Sequence, residues 1–336
     1  MKTFHTAALC AALMLGLAAC DSAKDVKALM KSAGQGDADA QFALGMRYDN
    51  GAGVGKDAVQ AFAWYAKAAG QGHAKAQYSL GVCYLTGDGV EMDAEKAVAW
   101  FTKAAEQGLA EAQYNLSECY DNGDGVPEDA AESVKWLKKA AEQGFAAAEY
   151  NFGMRYYNGK GFTEAVTWFR KAAAQGDAAA QYNLGVCYAN GDGVGKDAAK
   201  AVTWFTKAAG QGEADAQHTL GLCYKNGDGV PEDPTEAAVW FTRAAGQGHA
   251  DAQFNLGICY KNGYGVDKDF TEAAAWFAKA AGQGDADAQF GLGLFYALGY
   301  GVEKDAAEAA KWYRKATGQG HAKAQEALEM LTVHKP

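Results

Sequence analysis

Apolar and polar positions along this chain follow the period of an α-helix, and the whole pattern returns every 36 residues. In one unit Ala76, Leu80 and Tyr84 recur at four-residue intervals, which stacks them on one helix face, and Gly81 beside them lets a neighbouring helix come close. Ala97, Trp100, Phe101 and Ala104 form the matching stripe of a second helix. Between the two, Gly87 and Gly89 permit the positive φ that ends the first helix, and Asp93 stands where the N-cap of the second belongs. Asp57, Asp129, Asp197, Asp233, Asp269 and Asp305 occupy the same position. Glu132, Glu236, Glu272 and Glu308 follow four of these caps by three residues and predict a capping box, and Pro234 fits the first helical position.

The tryptophans mark the period. Trp64, Trp100, Trp136, Trp168, Trp204, Trp240, Trp276 and Trp312 are 36 residues apart, except for 32 between Trp136 and Trp168. Gly161-Phe162-Thr163-Glu164 replaces the longer connection in that fourth unit and predicts a tighter turn. One helix pair cannot bury both of its faces, so the units must stack on one another. The expected fold is all-α, a right-handed superhelical α-solenoid of eight helix-turn-helix repeats over 38–321. Residues 20–37 and 322–336 would supply the capping helices.

Composition narrows the function. With 49% hydrophobic residues the chain is not of disordered type, and a formal charge of -10 argues against a nucleic-acid partner. Residues 1–19 read as a signal peptide: Lys2 is a short cationic start, and the apolar run Ala7–Ala19 is too short to span a bilayer. Leu17-Ala18-Ala19-Cys20 resembles a bacterial lipobox, which implies lipidation at Cys20 and a lipoprotein of the cell envelope. It would face the periplasm, anchored to the inner or outer membrane by its acyl chains.

The pattern Ala-x-Ala-Gln-x-x-Leu-Gly-x-x-Tyr, a Gly-x-Gly-Val turn, then Ala-x-x-Trp-Phe-x-Lys-Ala-Ala-x-Gln-Gly, resembles the Sel1-like repeat (SLR), a relative of the tetratricopeptide repeat. The resemblance covers 38–331. Ser117, in place of the first-helix glycine, and His218, in place of an aromatic, depart from it. It implies an adaptor for other proteins, with bacterial members exported and active in the envelope or in host contact.

Catalytic and cofactor patterns are missing from the sequence. There is no His-Glu-x-x-His and no Gly-x-Ser-x-Gly, the Gly-Val-Gly-Lys-Asp stretches lack phosphate-loop spacing, and aligning Gly125 with an EF-hand glycine puts Tyr120 at the first ligand position. No enzyme and no cofactor are expected. Cys83, Cys119, Cys187, Cys223 and Cys259 share one repeat position; helices roughly 8–10 Å apart do not allow bridges between them, so packed free thiols are expected. His73, His249 and His321 share another position, which reads as a surface site that also tolerates Asp and Glu.

The expected binding surface is the concave face. By analogy with the tetratricopeptide groove, Phe42, Tyr78, Tyr114, Tyr150, Tyr182, His218, Phe254 and Phe290 face inward, unless they serve as half-buried packing between neighbouring first helices. Farther along the same helices come Asp49, Asp121, Tyr157, Lys225 and Lys261, acidic in the first half and basic in the second, a distribution suited to an extended peptide. A scaffold for protein or peptide is the leading reading. A peptidoglycan-binding or cell-wall-active protein and a surface adhesin are the alternatives.

Overall fold

The computed structural model describes residues 23–333, and among them all regular structure is helical. Cys20 and the segment read as a signal peptide lie outside the described residues. The chain forms two compact units, one ending at Ala148 and the other beginning at Glu149. The first holds α1 (Ala23–Gly34), α2 (Ala38–Asn50), α3 (Ala58–Gly70), α4 (Ala74–Thr86), α5 (Ala94–Glu106), α6 (Ala110–Asn122) and α7 (Ala130–Glu142). Helix α8 (Ala146–Asn158) begins in the first unit and continues in the second. There it is followed by α9 (Phe162–Ala174), α10 (Ala178–Asn190), α11 (Ala198–Gly210), α12 (Ala214–Asn226) and α13 (Pro234–Gly246). The series closes with α14 (Ala250–Asn262), α15 (Phe270–Gly282), α16 (Ala286–Leu298), α17 (Ala306–Gly318) and α18 (Ala322–Val333). Within each unit a helix packs on its neighbours in chain order, as an all-α solenoid requires.

The helix ends form as the sequence dictates. Asp57, Asp93, Asp129, Asp197, Asp233, Asp269 and Asp305 each accept a hydrogen bond from a first-turn N–H of the second helix that follows. Each such cap is worth roughly 0.5–2 kcal/mol. The capping box does not close. The cap residue's own N–H is already donated to a first-helix tyrosine carbonyl, Asp129 to Tyr120 at 2.9 Å and Asp233 to Tyr224 at 2.9 Å. Glu132 instead receives Lys135, and Glu308 receives Lys311. In the fourth repeat three residues join α8 to α9, and Lys160 takes the left-handed conformation at φ 64° to make that turn.

The core repeats with the sequence. Ala97, Phe101 and Ala104 on the second helix and Ala112 and Leu116 on the next first helix are all fully buried. Burying one such phenylalanine contributes about 1.5–3 kcal/mol. The first-helix glycine meets this ring: a Cβ on Gly81 would lie 2.6 Å from Phe101 Cε1, and one on Gly221 would lie 2.7 Å from Phe241 Cδ1. In the third repeat, Ser117 is buried at the glycine position, and the anchor two helical turns into α7 is Leu137 rather than an aromatic. A smaller anchor accommodates the larger helix residue.

Two further repeating contacts tie the stack. Gln113 is buried, donates to the carbonyl of Ala105 at 3.0 Å and receives Gln143 Nε2 at 2.7 Å; Gln217 and Gln253 repeat both bonds. The repeated tryptophan packs across neighbouring helices, Trp204 on the α9–α10 core and Trp276 on the α13–α14 core. Its outer ring face carries the cation three residues on, with Lys207 Nζ 4.0 Å from the Trp204 centroid and Lys279 Nζ 3.5 Å from that of Trp276.

Candidate interaction site

The first-helix aromatics stand against the second-helix anchors of their own repeats. Ring centroids lie 5.8 Å apart for Tyr78 and Phe101, 6.0 Å for Tyr150 and Phe169, 5.7 Å for Tyr182 and Phe205, and 5.9 Å for His218 and Phe241. Tyr114, in the repeat whose anchor is Leu137, rests on Phe145 at 5.5 Å. An asparagine of the following first helix covers several of these rings. Asn115 Nδ2 donates to the Tyr78 hydroxyl at 3.4 Å, Asn183 Nδ2 to that of Tyr150 at 3.4 Å, and Asn255 Nδ2 lies 3.1 Å from His218 Nε2. Tyr78 and Tyr114 are only 4% and 9% exposed, whereas Tyr150, Tyr182 and His218 are half-buried. Burial raises the Tyr150 phenol and lowers the His218 imidazole to about 4, leaving that ring neutral near pH 7.

The second set of predicted residues divides between the units. Asp49 and Asp121 are exposed in the first, where Asp49 accepts from the Tyr65 hydroxyl at 3.3 Å and Asp121 from Ser133 Oγ at 3.3 Å. Tyr157, Lys225 and Lys261 are half-buried in the second. Tyr157 donates to Asp192 at 3.0 Å and packs edge-on against Phe162, so it is held by its neighbours. The Lys225 carbonyl accepts from the Tyr264 hydroxyl at 2.9 Å.

Each unit contains a concavity on this face. In the first, about 170 Å³ opens between Phe42, Asp49, Tyr65 and Tyr78. The larger, about 560 Å³, lies in the second unit between α14, α15, α16 and the start of α18. Its walls are Phe254, Ile258, Phe290 and Leu294 from the ladder face, with Phe277 and Phe295 behind them. Leu298 and Tyr300 reach its rim 55% and 42% exposed, and Tyr300 stacks on Phe270 at 4.8 Å.

Gly291 lines this pocket. It occupies the position from which Asn115, Asn183 and Asn255 reach back over the preceding ring, and it has no side chain to send. The nearest atoms to a Cβ built there belong to Phe277, at 3.8 Å, so the site has room for one. The preceding ring, Phe254, has no hydroxyl to satisfy. The polar groups around the pocket are Lys261, Lys323, Asp287 and His321. Asp287 is engaged by His321 Nε2 at 3.0 Å, while Lys261 and Lys323 pair with no carboxylate among the described residues. An apolar cavity of this size with two cations at its mouth matches the usual makeup of a ligand site.

The histidines at the start of the first helices are N-caps, which their sequence positions alone did not disclose. Nδ1 of His73, His249 and His321 accepts the N–H of Ala76, Ala252 and Ala324, the service that Asp37, Asp177 and Asp285 perform elsewhere. Nε2 of the three faces Asp39, Asp215 and Asp287 of the preceding first helix at 3.0–3.1 Å. Cys83, Cys119, Cys187, Cys223 and Cys259 are buried and unbridged. Burial pushes the Cys119 thiol up to about 12 and those of Cys187, Cys223 and Cys259 to about 11, which suppresses the thiolate that nucleophilic chemistry requires. Among the described residues no helix is long and apolar enough to cross a membrane.

Comparison with known proteins gives a consistent result. The family model for the Sel1 repeat matches eight consecutive segments: 38–73, 74–109, 110–145, 146–177, 178–213, 214–249, 250–285 and 286–321. Among solved structures, c5321, a protective antigen of uropathogenic Escherichia coli strains with an SLR fold, is similar at 40% identity and a TM-score of 0.84, over 90% of this chain. This chain spans 66% of that protein's length. A Sel1 repeat protein from Oxalobacter formigenes is similar at 35% identity and a TM-score of 0.67, covering 91% of this chain and 89% of the other. No curated protein matches.

Proposed function

Since the chain belongs to the Sel1 repeat family, whose repeats mediate protein–protein interaction as scaffolds that are typically non-catalytic, we propose that it binds a partner polypeptide through the first-helix face of its second unit. The pocket between Phe254 and Phe290 carries this reading: it takes one aromatic or branched apolar side chain, while Lys261 and Lys323 meet an adjoining carboxylate. The partially exposed Tyr182 and His218 and the Lys225 side chain extend the same face. Peptide arrays test this. Sequences pairing a Phe, Trp or Leu with a neighbouring Asp, Glu or terminal carboxylate should be retained by the wild-type protein and lost with Gly291→Asn, which restores the side chain common in other repeats, or with Lys261→Glu. Retention indifferent to both substitutions contradicts the proposal.

We further propose an envelope lipoprotein anchored through Cys20, a placement supported by Leu17-Ala18-Ala19-Cys20. Metabolic labelling with an alkyne fatty acid should mark the wild-type chain and not Cys20→Ser; equal labelling would refute it. The likeness to a protective antigen favours a second reading, display at the cell surface. Protease treatment of intact cells separates the two, since a surface protein is degraded and a periplasmic one survives.

A further inference from the structure

The cavity of about 170 Å³ in the first unit carries charge of the opposite sign to its larger counterpart in the second. Its lining follows the course of α2 and α4: Phe42 and Tyr78 come early in the two helices, Met46 and Val82 one turn on, and Asp49 and Asp88 at or just past their C-terminal ends. The cavity is therefore apolar at one end and acidic at the other. Both aspartates are exposed, and neither pairs with a lysine, arginine or histidine among the described residues. Neutral hydroxyls orient them instead. Tyr65 donates to Asp49 Oδ2 at 3.3 Å, and the Thr86 hydroxyl is nearer Asp88 Oδ2, at 2.7 Å, than the Val82 carbonyl, at 3.0 Å. Oδ1 of each carboxylate is left to accept from a ligand. The C-terminal ends of α2 and α4 add partial negative charge at the same end of the cavity. In the second unit Lys261 holds the repeat position of Asp49, so the two cavities suit opposite ligands.

We propose that this cavity binds an arginine side chain of a partner polypeptide, at a site independent of the pocket in the second unit. The methylene stem lies along Met46 and Val82, and the guanidinium reaches the carboxylates of Asp49 and Asp88. Long cationic side chains cover apolar surface with their stems while the charge stays near water, which matches a lining that changes from apolar to acidic along its length. Arginine fits better than lysine for two reasons. Its guanidinium is more weakly hydrated and stacks on aromatic faces, so it gives up water more readily beside Phe42 and Tyr65, and its five N–H donors form a planar fork suited to carboxylate oxygens. A wholly apolar side chain would strip water from two unpaired carboxylates and return no hydrogen bond, and an acidic one would be repelled by them.

Methionine-methyl NMR of the purified chain tests the site, because Met46 lines this cavity and Met154 packs against the α9–α10 core of the second unit. The probe is an acetylated, amidated pentapeptide with one arginine between pairs of alanines, and its citrulline counterpart is the neutral control. With blocked termini neither peptide carries the carboxylate that the second-unit pocket is proposed to take. The arginine peptide should shift the Met46 methyl saturably, leave that of Met154 in place and bind more weakly at high salt. Asp49→Asn and Asp88→Asn should each weaken the affinity by about fivefold or more while leaving the helical circular dichroism unchanged. Absence of a Met46 shift, an equal shift with the citrulline peptide, or unchanged affinity in either aspartate variant would overturn the assignment.

Discussion

Replacing Gly221 by serine should destabilise the protein, and replacing Phe241 by leucine in the same chain should then cost much less than it does alone. A Cβ on Gly221 would stand 2.7 Å from Phe241 Cδ1 and Cε1 and 3.3 Å from the Ala237 carbonyl oxygen. Carbon atoms pack at about 3.5–4.0 Å, so the ring must retreat by roughly an ångström. Phe241 is fully buried among Ala237, Ala244 and Leu256, which leaves it no free space to move into. Overpacking of this kind costs about 1–3 kcal/mol, and the helix gains back about 0.5 kcal/mol when glycine is removed, so Gly221→Ser should lose about 1–2 kcal/mol. Phe241→Leu alone should lose about 1–1.5 kcal/mol from the space it leaves. The double variant reproduces the Ser117 and Leu137 combination of the third repeat, where the residues already coexist. It should therefore be more stable than the sum of the single losses allows, by about 1 kcal/mol or more. Solenoid repeats unfold locally, so native-state hydrogen exchange of amides in α12 and α13 is the appropriate readout. One kcal/mol appears there as a roughly fivefold change in opening. Strict additivity of the three variants would refute the packing argument.

Glu149 is buried where the other first helices carry glutamine, it accepts Gln175 Nε2 at 2.7 Å, and burial raises its pKa above the ordinary value. A carboxyl whose folded pKa is raised costs stability above that pKa and is relieved as pH falls through it toward the unfolded value. Glu149→Gln should therefore raise the melting temperature at pH 7, with the gain shrinking toward pH 4.5; a loss at pH 7, or a gap independent of pH, contradicts this. Asp269→Ala removes a cap that holds the N–H groups of Thr271 and Glu272 and should lower stability by about 0.5–2 kcal/mol, read from urea unfolding against Asp267→Ala as control. With their thiols pushed to about 11–12, Cys119, Cys187, Cys223 and Cys259 should resist iodoacetamide in the folded protein at pH 8 and react once urea unfolds it. Rapid alkylation in the native state would show the helices to be looser than described.

Features specified locally were legible in the sequence. The Asp caps, the glycine turns and the alternating Leu and Phe stripes depend on residues a few positions apart, and each is where its spacing put it. Features that depend on a neighbour 30 or more residues away were less so. Gln113 is polar and reads as surface, yet it is buried because the following second helix delivers Gln143 to it. His73 and His249 read as tolerant surface positions because an imidazole is an uncommon cap, although the Asp at Asp37 and Asp177 gave the signal. The spacing puts the aromatic ladder on one helix face, but how deeply each ring is buried and which polar group meets it were not legible: Tyr78 and Tyr114 are buried, whereas Tyr150, Tyr182, His218 and Phe254 are half-buried. Asn115 meets Tyr78, whereas Gly291 has no side chain to set against Phe254. Ser117 was visible as a departure, and its counterpart Leu137 was not, because the two become related only by packing.

Site-specific photo-crosslinking in living cells is the most direct test of the binding site. A benzophenone side chain at Leu298, 55% exposed on the pocket rim, and another at Val239, a second-helix position 38% exposed, sample the first-helix and second-helix surfaces. The account predicts a discrete adduct with one protein from position 298, absent from position 239 and abolished when Gly291→Asn fills the pocket. Adducts of equal yield from both positions, or an adduct at 298 that survives the filled pocket, would contradict it.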